Sequence, residues 1–287
     1  MLQAGQKKPL TSYLVNMDIR PVIFFDSGIG CLPYADFFHK RNPYEKLLCI
    51  ADRANFPYGT KSKEFLKETL LSLFKKLINL YNPKIIAIAC NSASVSALTD
   101  LREAFVQLHI IGTVPAIKPA VLESKKHCVA VLGTQRTISD PYIAELAAKY
   151  DPDTKIISIA AQELVEFAEY HWMEADKEKK LSAIKPWVNK AIEKGADALV
   201  LACTHFLLLK EEFHEAAADK MMIFDSVEGI SRRVEFILDE HKAHLRSNLM
   251  EEQKILFKIN GDSFKKKLID QSWLKLASHF GALPEMI

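Results

Sequence analysis

Two phrases in the sequence put a thiol where it could act on a bound molecule. Ile86-Ala87-Ile88-Ala89-Cys90-Asn91 and Leu199-Val200-Leu201-Ala202-Cys203-Thr204 each run as an apolar stretch into Ala-Cys and then a small polar residue. A free thiol, with a pKa of about 8.5, is partly ionised at neutral pH, and the thiolate is both a nucleophile and a base. Groups able to hydrogen-bond a ligand follow at once: Asn91 and Ser92 after the first thiol, Thr204 and His205 after the second. Similar residues end other apolar runs: Asp26 and Ser27, Asp52, and Thr134 and Thr137. The other cysteines differ. Cys49 and Cys128 lie inside apolar runs as small hydrophobes, and Cys31 follows a glycine turn as a packing residue. Two chemistries fit. A Cys-His hydrolase or amidase needs one thiol as nucleophile, whereas a proton-transfer pair needs both. Non-catalytic ligand binding is a third reading, which turnover would exclude.

Two turns carry further polar groups. Asp26-Ser27-Gly28-Ile29-Gly30 could cradle an anion, but it lacks the lysine of a P-loop and is too short for a dinucleotide fingerprint. Asp26 also reads as a helix N-cap. Pro57-Tyr58-Gly59 is a turn whose Tyr58 and Gly59 backbone groups could face a ligand.

These residues need elements that deliver them to one place. Apolar runs at Val22–Phe25, Leu47–Ala51, Ile85–Ala89, Cys128–Leu132, Lys155–Ile159, Ala198–Ala202 and Met222–Phe224 are continuous rather than alternating. Strands buried on both faces have this composition, as in a parallel sheet covered by helices. Between them lie amphipathic segments. Over 61–82, Leu66, Leu70, Leu73, Phe74, Leu77 and Leu80 share one helical face as a core stripe. The fold class is α/β: two pseudo-symmetric three-layer domains with mainly parallel sheets and the site in the cleft between them. The repeated Ala-Cys phrase, with the turns Phe25-Asp26-Ser27-Gly28 and Leu132-Gly133-Thr134 ahead of its two copies, divides the chain into related halves. The boundary falls near Val114–Pro119, where prolines punctuate the chain. The expected units are residues 18–114 with 225–287, and residues 115–224. The returning segment carries a helix over 229–244, a strand over 255–260 and a last helix to about Phe280. Residues 1–17 are polar and mixed, lack the apolar core of a signal peptide, and end at Met17 just before the first strand, so a disordered leader is expected there.

Composition narrows the classes. The 287 residues carry 38 basic and 36 acidic side chains, a net charge of +2, so nucleic acid is not expected. The longest basic run, Lys265 to Lys267, reads as a solvated helix face. No apolar stretch approaches the roughly 20 residues that span a membrane. The five cysteines show no zinc spacing, which points to free thiols, a reducing cytoplasm and no metal.

From about Arg20 to about Phe280 the sequence resembles the glutamate racemases of bacterial cell-wall synthesis. The matching stretches are FFDSGIG at Phe24–Gly30, ADRANFPYGTKS at Ala51–Ser62, IACNSAS at Ile88–Ser94, GTVPAIKPA at Gly112–Ala120, VLGTQRTISDPY at Val131–Tyr142, LACTHFLLL at Leu201–Leu209 and FDS at Phe224–Ser226. Their joint order and spacing are specific, although no single stretch is. The resemblance implies that Cys90 and Cys203 are the catalytic thiols, with Asp26 assisting Cys90 and His205 assisting Cys203. It implies substrate-binding pairs at Asp26 and Ser27, Tyr58 and Gly59, Asn91 and Ser92, and Thr204 and His205; Thr134 and Thr137, placed at a strand end in the second half, are counted with the substrate-binding residues. An accessory acid near the second thiol maps to Glu169, with Glu166 as its neighbour and competitor. The implied reaction interconverts L- and D-glutamate without a cofactor, supplies D-glutamate for peptidoglycan in the cytoplasm, and leaves the oligomeric state open, a homodimer included. Ser92 stands where threonine is usual, Cys31 where a second glycine is common, and Ala202 and Leu207 replace the usual glycine and proline. Arg53, Ala54 and Asn55 differ from the usual residues before PYG. None of these departures removes a reactive group. Related racemases of aspartate tend to carry glutamate after the second Cys-Thr, so His205 favours glutamate over aspartate.

Racemisation explains two thiols. A proton leaves one face of Cα and another arrives on the opposite face, and one base on each side achieves this without turning the substrate. The carbanion-like charge then needs preorganised donors.

Overall fold

A computed structural model describes residues 18–245, 251–261 and 271–286. The expected leader and the basic run at Lys265 lie outside the described residues. Two parallel sheets organise the chain. The larger contains β1 (Val22–Asp26), β2 (Leu47–Ala51), β3 (Ile85–Ile88), β4 (His109–Gly112), β9 (Ile255–Ile259) and β10 (Leu283–Met286), in the order β10-β9-β2-β1-β3-β4. The smaller contains β5 (Cys128–Gly133), β6 (Lys155–Ala160), β7 (Ala198–Ala202) and β8 (Met222–Phe224), in the order β6-β5-β7-β8. Every ladder is parallel.

Five of the continuous apolar runs are strands for the reason their composition suggests: β1, β2, β3, β5 and β7 are buried at every residue, whereas the edge strands β6 and β8 are not, β6 having exposed residues and β8 being only partly buried. Alternate residues of β1 enter separate clusters. Ile23 and Phe25 join Leu70 and Phe74 of α2 (Lys63–Tyr81), while Val22 and Phe24 join Leu32 and Phe38 of α1 (Cys31–Arg41). The second cluster continues through Leu132 and Leu201 to Phe206, so one apolar core runs from the larger sheet into the smaller. A fully buried Leu or Phe contributes about 1.5–3 kcal/mol relative to exposure. Ser62 caps α2 by accepting from the Phe65 amide at 3.2 Å, and Thr134 caps α5 (Gln135–Ile138) through the Thr137 amide. No helix among the described residues is long and apolar enough to cross a membrane.

The structure adjusts several expectations. Leu80 leaves the core stripe: it lies in the last turn of α2 and is 57% exposed, whereas Leu66 to Leu77 of that stripe are buried. Strands β4 and β10 were not anticipated. Each has only four residues, and β10 contains Pro284, which is tolerated at a sheet edge. Helix α10 spans Val227–Glu240 rather than 229–244, and α11 (Gln271–His279) ends just before Phe280. After Cys203 the chain forms a 3₁₀ stretch, Thr204–Leu209, before α9 (Lys210–Ala217).

Candidate active site

The carboxyl ends of β1 and β3 in one sheet, and of β5 and β7 in the other, converge. Ser27, Cys90, Asn91, Ser92, Thr134, Cys203, Thr204 and His205 line one small cavity with Phe56 to Gly59, Val165 and Ala202. Its volume is about 20 Å³, room for a water molecule but not for an amino acid. Cys90 is 6% and Cys203 7% exposed, one thiol from each sheet. Cys90 also stands at the start of α3 (Asn91–Ala104), where its carbonyl accepts from the Ser94 amide at 3.0 Å. A helix N-terminus of this length favours negative charge.

The half-site around Cys90 is built from oxygen. Ser27 Oγ lies 3.9 Å from Cys90 Sγ. The fully buried Asp26 carboxylate accepts from the Gly28 amide at 2.8 Å and from Thr204 Oγ1 at 2.9 Å. Burial pushes the Asp26 carboxyl above its ordinary range, against the nearby His205 charge and these donors. Burial also pushes the Cys90 thiol well up, and the Asp26 charge adds to the effect.

The half-site around Cys203 contains an imidazole. His205 Nδ1 is 3.8 Å from Cys203 Sγ and 3.4 Å from Thr204 Oγ1, while its Nε2 is 2.6 Å from Glu169 Oε2. Burial opposes the charged ring, yet the hydrogen bonds to Cys203 and Glu169, with their negative charge, hold His205 well above its ordinary value. That shift favours the doubly protonated ring. Glu169 comes from α7 (Gln162–Tyr170) and is buried, whereas Glu166 on the same helix is exposed. The structure therefore brings Glu169, not Glu166, to the imidazole.

The remaining wall is polar and close-fitting. Ser92 Oγ lies 2.9 Å from Thr134 Oγ1 and 3.3 Å from Thr137 Oγ1, and the two threonine hydroxyls are 3.1 Å apart. Neither polar atom of the buried Asn91 amide has a protein partner. Such a group costs about 1–3 kcal/mol unless something else satisfies it. The lobes meet at three glycines, and a Cβ on Gly28 would lie 2.9 Å from Glu169 Oε2 and 3.0 Å from His205 Nε2. A Cβ on Gly30 would lie 2.1 Å from Thr204 Oγ1, and one on Gly59 would lie 2.6 Å from the Thr134 Cβ. Asp26–Thr204 and Ser92–Thr134 are hydrogen bonds that cross between the two sheets' loops.

Of the residues singled out as catalytic or substrate-binding, Glu166 stays in solvent and the others reach this region, although Thr137 touches it only through Ser92 and Thr134, Asp52 only through Tyr58, and Glu169 and Asp26 stand behind the wall. Cys31, Cys49 and Cys128 are buried apart from it. Phe56 and Val165 were not anticipated; the Phe56 ring lies 5.7 Å from that of His205. They are apolar, so nothing in the sequence marked them as wall residues.

A two-lobed α/β protein with one thiol from each lobe facing a shared cavity is the class that fold and site define. The sequence matches the Asp/Glu/Hydantoin racemase family over residues 40–231. It is 33% identical to the glutamate racemase of Bartonella henselae over 91% of this chain and 97% of that one. It is 39% identical to the glutamate racemase of Treponema pallidum over 73% of this chain and 78% of that one. The fold is similar to the crystal structure of Escherichia coli glutamate racemase in complex with L-glutamate and the activator UDP-MurNAc-Ala. There the TM-score is 0.77 with 28% identity, covering 93% of this chain and 97% of that one. The chain belongs to the Asp/Glu/Hydantoin racemase family and, within it, to the glutamate racemases, and is thus an amino-acid racemase.

Proposed function

We propose that this chain interconverts L- and D-glutamate by proton transfer at Cα between Cys90 and Cys203. The observation that carries the reading is the pair of thiols, one from the end of β3 and one from the end of β7, in the wall of a single cavity. In the L-to-D direction the Cys203 thiolate takes the Cα proton and becomes a thiol. The electron pair moves into the α-carboxylate, facing donors of the Asn91, Ser92 and Thr204 type. The Cys90 thiol then gives its proton to the opposite face of Cα and is left as thiolate, ready for the reverse reaction. His205, held by Glu169, keeps a proton beside the second thiol, and Asp26 with Ser27 serves the first. Tyr58, Gly59, Thr134 and Thr137 complete the substrate wall. No cofactor enters these steps.

Because the cavity is smaller than glutamate, the lobes must part to admit it. Residues 18–114 with 225–287 form one lobe in this reading, and residues 115–224 the other. A hydrolase needs one nucleophilic thiol and gives no role to the second. His205 after Thr204 favours glutamate over aspartate. The cellular role is supply of D-glutamate for peptidoglycan, in the cytoplasm.

The test is circular dichroism of D-glutamate with purified, dialysed protein. The signal should decay to zero, and solvent deuterium should enter Cα. Loss of turnover against a chelator, regained with metal, would overturn the cofactor-free scheme.

A further inference from the structure

Asp52 stands just after β2, at the same end of the sheet as Asp26, and its carboxylate is 0% exposed. The proton transfers do not use it. A buried carboxylate is costly unless its lone pairs are met by donors. Here three donors meet it, all neutral. Tyr58 Oη donates to Oδ2 at 2.5 Å, Asn55 Nδ2 donates to Oδ2 at 2.9 Å, and Asn260 Nδ2 donates to Oδ1 at 2.8 Å. Tyr58 lines the cavity and is itself 1% exposed. Burial and the Asp52 charge hold the Tyr58 phenol well above its ordinary value, so it remains a donor.

Asn260 comes from the far end of the chain, immediately after β9. Its amide donates to the Ala51 carbonyl at 2.8 Å, and its own carbonyl accepts from the Ala54 amide at 3.0 Å. The Arg53 guanidinium lies 4.6 Å from the Trp273 ring centroid on α11. The 51–54 turn is thus pinned from one side by the returning C-terminal segment, and the Asp52 side chain carries that constraint to Tyr58. Gly59, next in sequence, sits where a Cβ would strike Thr134, so a small shift of this turn changes the fit between the lobes.

We propose that Asp52 is a positioning residue for the racemase site, held by Asn260 and holding Tyr58, so that the Tyr58–Gly59 wall meets substrate in one fixed place. The inference rests on the reading of this cavity as the active site. A wall that binds ground state and transition state alike affects KM more than kcat.

The experiment measures kcat and KM for both enantiomers of glutamate, with a thermal melt of each variant. Asp52→Ala should raise KM about tenfold in both directions with kcat within about threefold, the loss expected for one buried hydrogen bond. Tyr58→Phe, nearly isosteric, should do the same. The double variant Tyr58→Phe/Asp52→Ala should be no worse than the poorer single one, because both remove the same link. Asp52→Asn should recover most of the loss, since an amide oxygen still accepts from Tyr58 and the Asn260 amide can rotate to match. A lower Tm with unchanged KM, or losses that multiply in the double variant, would overturn the proposal. If Asp52→Ala does not fold, unchanged KM in Tyr58→Phe alone would overturn it. Retained racemisation in Cys90→Ala would instead sink the underlying site assignment, whatever the Asp52 series shows.

Discussion

The two thiols occupy matching places in two parallel sheets, yet their surroundings differ in kind. Cys90 faces a hydroxyl and a buried carboxylate, and both burial and negative charge favour its protonated form. Cys203 faces an imidazole whose proton is held by a second buried carboxylate, Glu169. The free energies of L- and D-glutamate are equal, so the reaction itself does not demand this asymmetry. In the proposed two-base scheme, the near-mirror step needs matched positions for the two thiols, not matched environments. Each thiol can be tuned by whatever its own lobe supplies, a charge near Cys90 and an acid–imidazole pair near Cys203.

The comparison breaks outright if either thiol is dispensable. Cys90→Ala and Cys203→Ala should each lower racemisation by at least the roughly 10²–10⁴-fold typical of a proton-transfer group, with the fold intact by circular dichroism. In the proposed scheme Cys203 serves the L-isomer and Cys90 the D-isomer. Single-turnover deuterium exchange on each enantiomer reads that direction, and a variant near wild-type activity would end the two-base scheme.

The next effect tests the half-site that carries the imidazole. His205→Asn keeps approximate size but removes the titrating ring, and kcat should fall by roughly 10²–10⁴-fold in at least one direction. Since the equilibrium constant is one, an unequal loss in kcat must reappear in KM. The raised value of His205 also sets a sign. The imidazolium is present below that value and lost as pH rises through it, so the wild-type rate should fall on the alkaline side. A pH–rate profile of the variant should lack that limb; an identical profile and unchanged kcat would return His205 to a packing role.

The smallest effect concerns the oxygen-rich half-site. Asp26→Asn removes a negative charge that helps keep Cys90 protonated, while burial remains. Alkylation of Cys90 by iodoacetamide, followed by mass spectrometry across pH, should therefore shift to lower pH in the variant and leave Cys203 labelling nearly unchanged. A shift to higher pH would contradict the electrostatic account.

Much of this was legible in the residues themselves. Continuous Ile, Val and Leu runs specified doubly buried parallel strands, because such strands have no solvent face on which to alternate. The repeated Ala-Cys phrase marked both thiols, because the residue ending a strand lies where α/β sheets bind ligands. Other features depended on packing. Glu166 and Glu169 are three residues apart on one helix, about 300° around its axis, so periodicity leaves both near the same face. Only the seating of α7 against the 3₁₀ turn buries Glu169 on His205 and leaves Glu166 in solvent. Asp52 was visible at a strand end, but its partner Asn260 lies 208 residues away, just after the returning strand β9. Local sequence determines which element forms and what chemistry sits at its tip. Which tips meet, and at what distance, is set by strand order and lobe contact, since those interactions join residues whose separation along the chain carries no periodic signal.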